Sequence, residues 1–79
     1  MNIDKERILT EAEDDFIEAL SNREYVNPYD SGRKAAQMRI MSEVCNAYGV
    51  KDKNSLPQEG KQTAWELWIA FERKRQDER

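Results

Sequence analysis

The side chains with chemistry to offer fall into two groups of opposite sign. Glu11, Asp14, Asp15 and Glu18 are spaced three and four residues apart, which on a helix lines the carboxylates along one side. Like charges one turn apart weaken a helix slightly, so this stripe needs a reason to be tolerated. A solvated outer face is one reason, with Arg7 offsetting Glu11 from one turn away. The other is an acidic surface shown to a basic protein, where charge complementarity raises the association rate and selects the partner. Such carboxylates also suit a hard divalent cation, but no substrate-binding signature accompanies them, and no metal site is expected. The basic group is Arg33, Lys34, Arg39, Lys51 and Lys53. Arg33 and Lys34 follow Gly32 near the start of a helix, where backbone N–H groups and cations together suit a phosphate or carboxylate. A helix that already begins at Pro28 carries them past its first turn and weakens that reading.

Trp65, Trp68 and Phe71 stand three residues apart and drift across the inner side of one helix. Two tryptophans are a large share of the area so small a domain can bury, and most of that is core. Trp65 sits at the edge of the apolar arc and is the candidate to anchor a partner or a second copy. Tyr25, Val26 and Tyr29 are apolar for a connection and are expected to plug one end of the fold. Cys45 has no basic neighbour to stabilise a thiolate and reads as a small packing residue.

These residues are expected on three helices, packed as a small all-α three-helix bundle with boundaries near 4–21, 28–48 and 56–76. In the first, Ile8, Leu9, Ala12, Phe16, Ala19 and Leu20 share one side. Thr10 and Glu13 fit a capping box, but the apolar stripe passes Thr10 without changing phase, which favours a start at Asp4. Asn27, Pro28 and Asp30 supply a cap, a first-turn proline and a first-turn acid for the second helix. Its apolar residues spread over an arc wide enough for two neighbours, and Gly49 closes it. Ser55 to Gln58 again has capping-box spacing, and Gly60 is expected to delay the stable third helix until about Lys61. The end, residues 72–79, is charged and expected to fray. The predicted core is Phe16, Leu20, Ile40, Val44, Trp68 and Phe71.

The stretch from Glu43 to Val50, EVCNAYGV, resembles the end of a first helix and the glycine turn of helix-turn-helix proteins. That resemblance implies a recognition helix directly after it, entering the major groove of DNA. Here the next residues are KDKNSLPQEG. Pro57 and Gly60 fall where the reading helix must be continuous, and an interior proline alone costs about 3 kcal/mol. The stretch therefore reads as an ordinary helix ending and a solvated connection.

Composition narrows the function further. The chain has 79 residues, enough for one domain over 1–79 with a thin core, since 37% of them are charged. Thin cores of this size are often completed by a second copy, a dimer being simplest. Residues 1–31 hold nine acids and three bases, while residues 32–79 hold seven acids and ten bases, so the chain is electrically polarised. A uniformly basic nucleic-acid binder has a different balance. There is no histidine and a single cysteine, which removes the usual neutral-pH acid–base group and any internal disulfide. With no secretory signal and no long apolar run, a cytoplasmic setting away from membranes is expected. A three-helix domain also leaves little depth for a cleft of about 300 Å3. The expectation is a non-enzyme without cofactor that binds another protein as an adaptor or inhibitor, a type met among bacterial and phage regulators. The alternative is a binder of a nucleotide, another phosphorylated small molecule or a nucleic-acid backbone through the basic group.

Overall fold

A computed structural model describes residues 3–21 and 28–77 and contains three α-helices: α1 (Lys5–Ser21), α2 (Pro28–Tyr48) and α3 (Gln58–Asp77). Among the described residues there is no strand. Asn27, Tyr25 and Val26 lie outside the described residues, as does the Tyr29 side chain, so the cap and plug assigned to them do too.

The start of α1 follows the Asp4 reading. The backbone N–H of Arg7 donates to Asp4 Oδ1 at 3.0 Å and that of Ile8 donates to the Asp4 carbonyl at 3.1 Å, which satisfies first-turn groups that would otherwise lack partners. Thr10 is exposed in mid-helix and caps nothing. Along α1 the fully buried residues are Ile8, Ala12 and Phe16, a four-residue repeat aimed at α2 and α3.

The α1–α2 contact is the most extensive in the fold, and small residues make it close. Ala36 is fully buried on α2, and a Cβ placed on Gly32 would lie 2.8 Å from Phe16 Cδ2 and 3.2 Å from the Phe16 carbonyl oxygen. Ile40 and Val44 continue the same side of α2 into the core. At the other end Gly49 adopts φ 69° and donates to the Asn46 carbonyl at 3.1 Å, while Val50 donates to the Cys45 carbonyl at 3.0 Å. This is the glycine-closed helix ending expected for the turn, and Val50 packs back on the core.

The connection to α3 is more ordered than a solvated loop. Asp52 caps a single 3-10 turn, Lys53–Ser55, by accepting from the Ser55 N–H at 2.9 Å. Ser55 is thus part of that turn and caps no α-helix. The chain extends through Leu56, and α3 begins at Gln58, two residues later than expected, with the Lys61 N–H donating to the Pro57 carbonyl at 3.0 Å. Gly60 does not delay the helix. It is buried in the first turn, where Leu56 packs so close that an added Cβ would sit 2.7 Å from Leu56 Cδ1.

Two predicted core residues are displaced. Leu20 lies a full turn beyond Phe16, at the end of α1, and is 38% exposed. On α3 the buried line is Ala64, Leu67 and Phe71, so Leu67 takes the central place expected of Trp68. Trp68 instead stacks on Phe71 from the side, with centroids 5.5 Å apart and planes at 19°. Phe71 meets Phe16 edge-on at 5.9 Å, closing the core where all three helices come together. The charged end is helical through Asp77, and Lys74 and Arg75 pair with Glu13 at 3.2 and 3.7 Å. Arg75 also lies over the Phe16 ring at 4.2 Å.

Gly32→Ala tests the close approach of α1 and α2. Alanine gains about 1 kcal/mol in helix propensity, but the added methyl meets a ring and a carbonyl that neither helix can move cheaply. We expect a net loss of about 1–3 kcal/mol, read as a lower urea midpoint with unchanged slope.

Candidate functional site

The acidic stripe divides once the helices are packed. Asp15 accepts from Arg39 Nε at 2.8 Å, and Glu11 accepts from Arg7 Nη1 at 2.9 Å. Arg7 Nη2 reaches across to Glu43 on α2 at 3.1 Å, and Arg39 Nη1 bonds the same carboxylate at 3.4 Å. Glu11 and Asp15 therefore belong to an ion-pair seam between α1 and α2, with Arg39, one of the basic candidates, at its centre. Asp14 and Glu18 remain on the outer side of α1, exposed and making no ion pair among the described residues. Among the described residues, no group of three or more acidic or sulfur side chains is placed to hold a metal ion.

The seam shifts its members in opposite directions. Arg7 is held further toward its charged form, first by its hydrogen bond to Glu11, and Arg39 first by its bond to Asp15. For Glu43 the largest single influence is burial, which pushes the carboxyl up. The hydrogen bond and charge of Arg7, with help from Glu11 and Arg39, outweigh it and leave the group below its ordinary value.

Arg33 is committed elsewhere. Its Nη2 donates to Glu72 on α3 at 2.6 Å and its guanidinium lies 5.6 Å from the centre of the Trp68 ring. Its Nε is buried without a hydrogen-bond partner among the described residues, a cost that the charge-assisted bond offsets. Lys34 pairs with Asp30 one turn away at 3.3 Å, both exposed. Lys51 and Lys53 lie past the other end of α2, and Lys34 precedes Tyr48 by about 21 Å of helix. The five basic candidates thus form no single cluster.

What sequence reasoning missed is the space between α2 and α3. An open groove of about 640 Å3 runs between them, larger than the shallow surface expected of such a domain. It exists because these helices touch much less than α1 and α2 do. Met41, Cys45, Ala64 and Trp68 line it, Met38 and Trp65 flank it, and Lys51, Lys53 and Lys61 surround its loop end. The Arg33–Glu72 pair bridges the two helices at the opposite end. Met38 is 73% exposed and Trp65 is 63% exposed, the largest exposures of any big apolar residues described. Trp65 therefore stands at the edge of the apolar arc, as its position suggested. The signal for the rest was legible: Met38, Met41 and Cys45 recur at three- and four-residue spacing as a second apolar line on α2, and Lys61 precedes Trp65 by one turn.

Comparison with protein families, with curated proteins and with solved structures gave no match to this chain. No described helix is long and apolar enough to cross a membrane.

The seam makes an acid-stability prediction. A carboxyl whose folded pKa lies below its unfolded value of about 4.3 adds stability above that value and loses it as pH falls through the folded pKa. Thermal midpoints should therefore drop as the pH is lowered from 5 toward 3. In Glu43→Gln the midpoint at neutral pH should be lower and the acid limb shallower, because the proton-linked part has been removed.

Proposed function

We propose that this chain is a small non-enzymatic protein-binding module, an adaptor or inhibitor that acts by occupying a partner protein's surface. The observation that carries the reading is the pair Met38 and Trp65, left open to water on either side of an apolar groove with lysines at one end. Solvent exposure of two large apolar side chains over such a groove is what interfaces exploit. Aromatic anchors set in a water-excluding surround supply most of the binding free energy in protein complexes, and methionine lets the surface adapt to its partner. The non-enzyme reading rests on chemistry. The groove offers amide, thioether, thiol, hydroxyl, lysine and indole groups with one carboxylate, Asp52, and no histidine exists in the chain.

A second reading keeps one specific support. Lys51, Lys53 and Lys61 share the groove with two indoles, and lysines beside an aromatic face suit a nucleotide or a single-stranded nucleic acid. It ranks lower because Arg33 and Arg39, the residues best shaped to grip phosphate, already hold carboxylates. The stretch after Gly49 also lacks the continuous reading helix that duplex recognition requires: it is a 3-10 turn, an extended Leu56 and then α3.

Trp65→Ala separates binding from folding. Since the indole is mostly in water, stability should change by less than about 1 kcal/mol. Affinity for the partner captured from the native host should fall at least about tenfold, as for other tryptophan anchors. Thermal midpoints of the wild type should stay unchanged with nucleotides and short oligonucleotides, whereas a salt-sensitive rise would select the second reading.

A further inference from the structure

The large apolar residues left exposed among the described residues are four, Ile17, Leu20, Met38 and Trp65, and they form two patches with opposite electrical surroundings. Met38 and Trp65 belong to the groove, beside Lys51, Lys53 and Lys61, none of which makes an ion pair among the described residues. Ile17 and Leu20 lie on the last turns of α1; Asp14, one turn before Ile17, and Glu18, next to it in the chain, make none either. Each patch therefore carries exposed apolar side chains together with free charge of the sign that the other lacks.

We propose that the groove between α2 and α3 receives the outer face of α1 from a second copy of this chain. The two patches cannot meet within one molecule. α1 covers the side of α2 that carries Gly32 and Ala36, whereas the groove opens along Met38, Met41 and Cys45. Their lengths agree: Asp14 to Leu20 rises about 9 Å along α1, and Met38 to Asn46 about 12 Å along the groove wall. An amphipathic helix laid in an apolar groove is a common mode of recognition, and here Ile17 and Leu20 are the anchors one turn apart. Asp14 and Glu18 then face the lysines, which adds little to affinity at the rim but selects the register and speeds encounter. Two grooves placed face to face would gain no such pairing, since the far end of each is the already neutralised Arg33–Glu72 bridge.

The contact is head-to-tail. Every copy offers one groove and one α1 face, so association builds open strings or closed rings. It rests on reading the groove as a protein-binding surface and adds a regulatory consequence: a copy seated in the groove excludes any other occupant.

The test uses the full chain with two surface variants, since every altered residue is exposed. Groove variant Lys61→Glu/Trp65→Glu keeps an intact α1 face, and face variant Ile17→Lys/Glu18→Lys keeps an intact groove. Circular dichroism and thermal melts confirm that each is folded. By sedimentation velocity from about 1 μM to about 1 mM, the range in which a modest interface declares itself, wild-type mass should rise with concentration, less so in high salt. Each variant alone should stay monomeric, its self-affinity reduced at least about tenfold. Their equimolar mixture should form a complex that stops at two chains, joined by the one contact both halves of which survive. A wild type monomeric throughout, variants that associate as the wild type does, or a mixture that stays monomeric would each overturn the proposal. None of those results bears on capture of a different protein through Trp65, so the two readings fail separately.

Discussion

Phe16 meets Gly32 where a side chain of any size would hold the first two helices apart, and the remaining packing follows from that approach. Because the gap is closed to a ring against bare backbone, Ala12 and Ala36 can also be fully buried, and Ile8, Ile40 and Val44 fill the rest of the seam. The same ring then meets Phe71 in a T-shaped contact and lies under the Arg75 guanidinium, so α3 is attached through one aromatic already fixed by the other two helices. The price is paid in the third helix, which has little left to grip. Beyond Phe71, Leu67, Ala64 and the Leu56 plug, its attachment depends on ion pairs with Glu13 and Arg33.

Charge on this protein does two separate things. Inside the α1–α2 seam, Arg7, Arg39, Glu11, Asp15 and Glu43 neutralise one another beside the core and define how the helices register. Partly exposed pairs of this kind contribute modestly to stability one by one, and the network gains by sharing its arginines. Outside it, Asp14 and Glu18 on one side and Lys51, Lys53 and Lys61 on the other remain available, and these give the surface its polarity. The halves of the chain that looked acidic and basic in the sequence are joined through the seam, and only the remainder faces outward.

The helices themselves were legible because local rules agree with one another: an apolar repeat that keeps its phase through α1 from Asp4 onward, a proline and an acid in the first turn of α2, and a glycine ending at Gly49. The bundle follows from three such helices joined by short connections. The positions that resisted were those decided by another helix. Whether Leu20 or Leu67 is buried depends on where the neighbouring helix passes, and Gly60 reads as a weak point until Leu56 is seen to need its missing side chain. The same holds for function. Trp65 could be picked out from its place on the arc, but Asp15, Arg33 and Arg39 looked available because the groups they bond across the fold lie 24 or 39 residues away on another helix. The groove was hidden for a simpler reason. A sequence shows which sides of two helices are apolar and is silent on how far apart they stand.

One wall of that groove carries two indoles less than a turn apart in very different surroundings. Trp68 is stacked on Phe71 under a guanidinium, while Trp65 is largely bathed in solvent. The protein thus carries two reporters of unequal reach: light from the stacked ring follows the packing of the third helix on the core, and the colour of the wet one follows whether anything has displaced water from the rim of the groove.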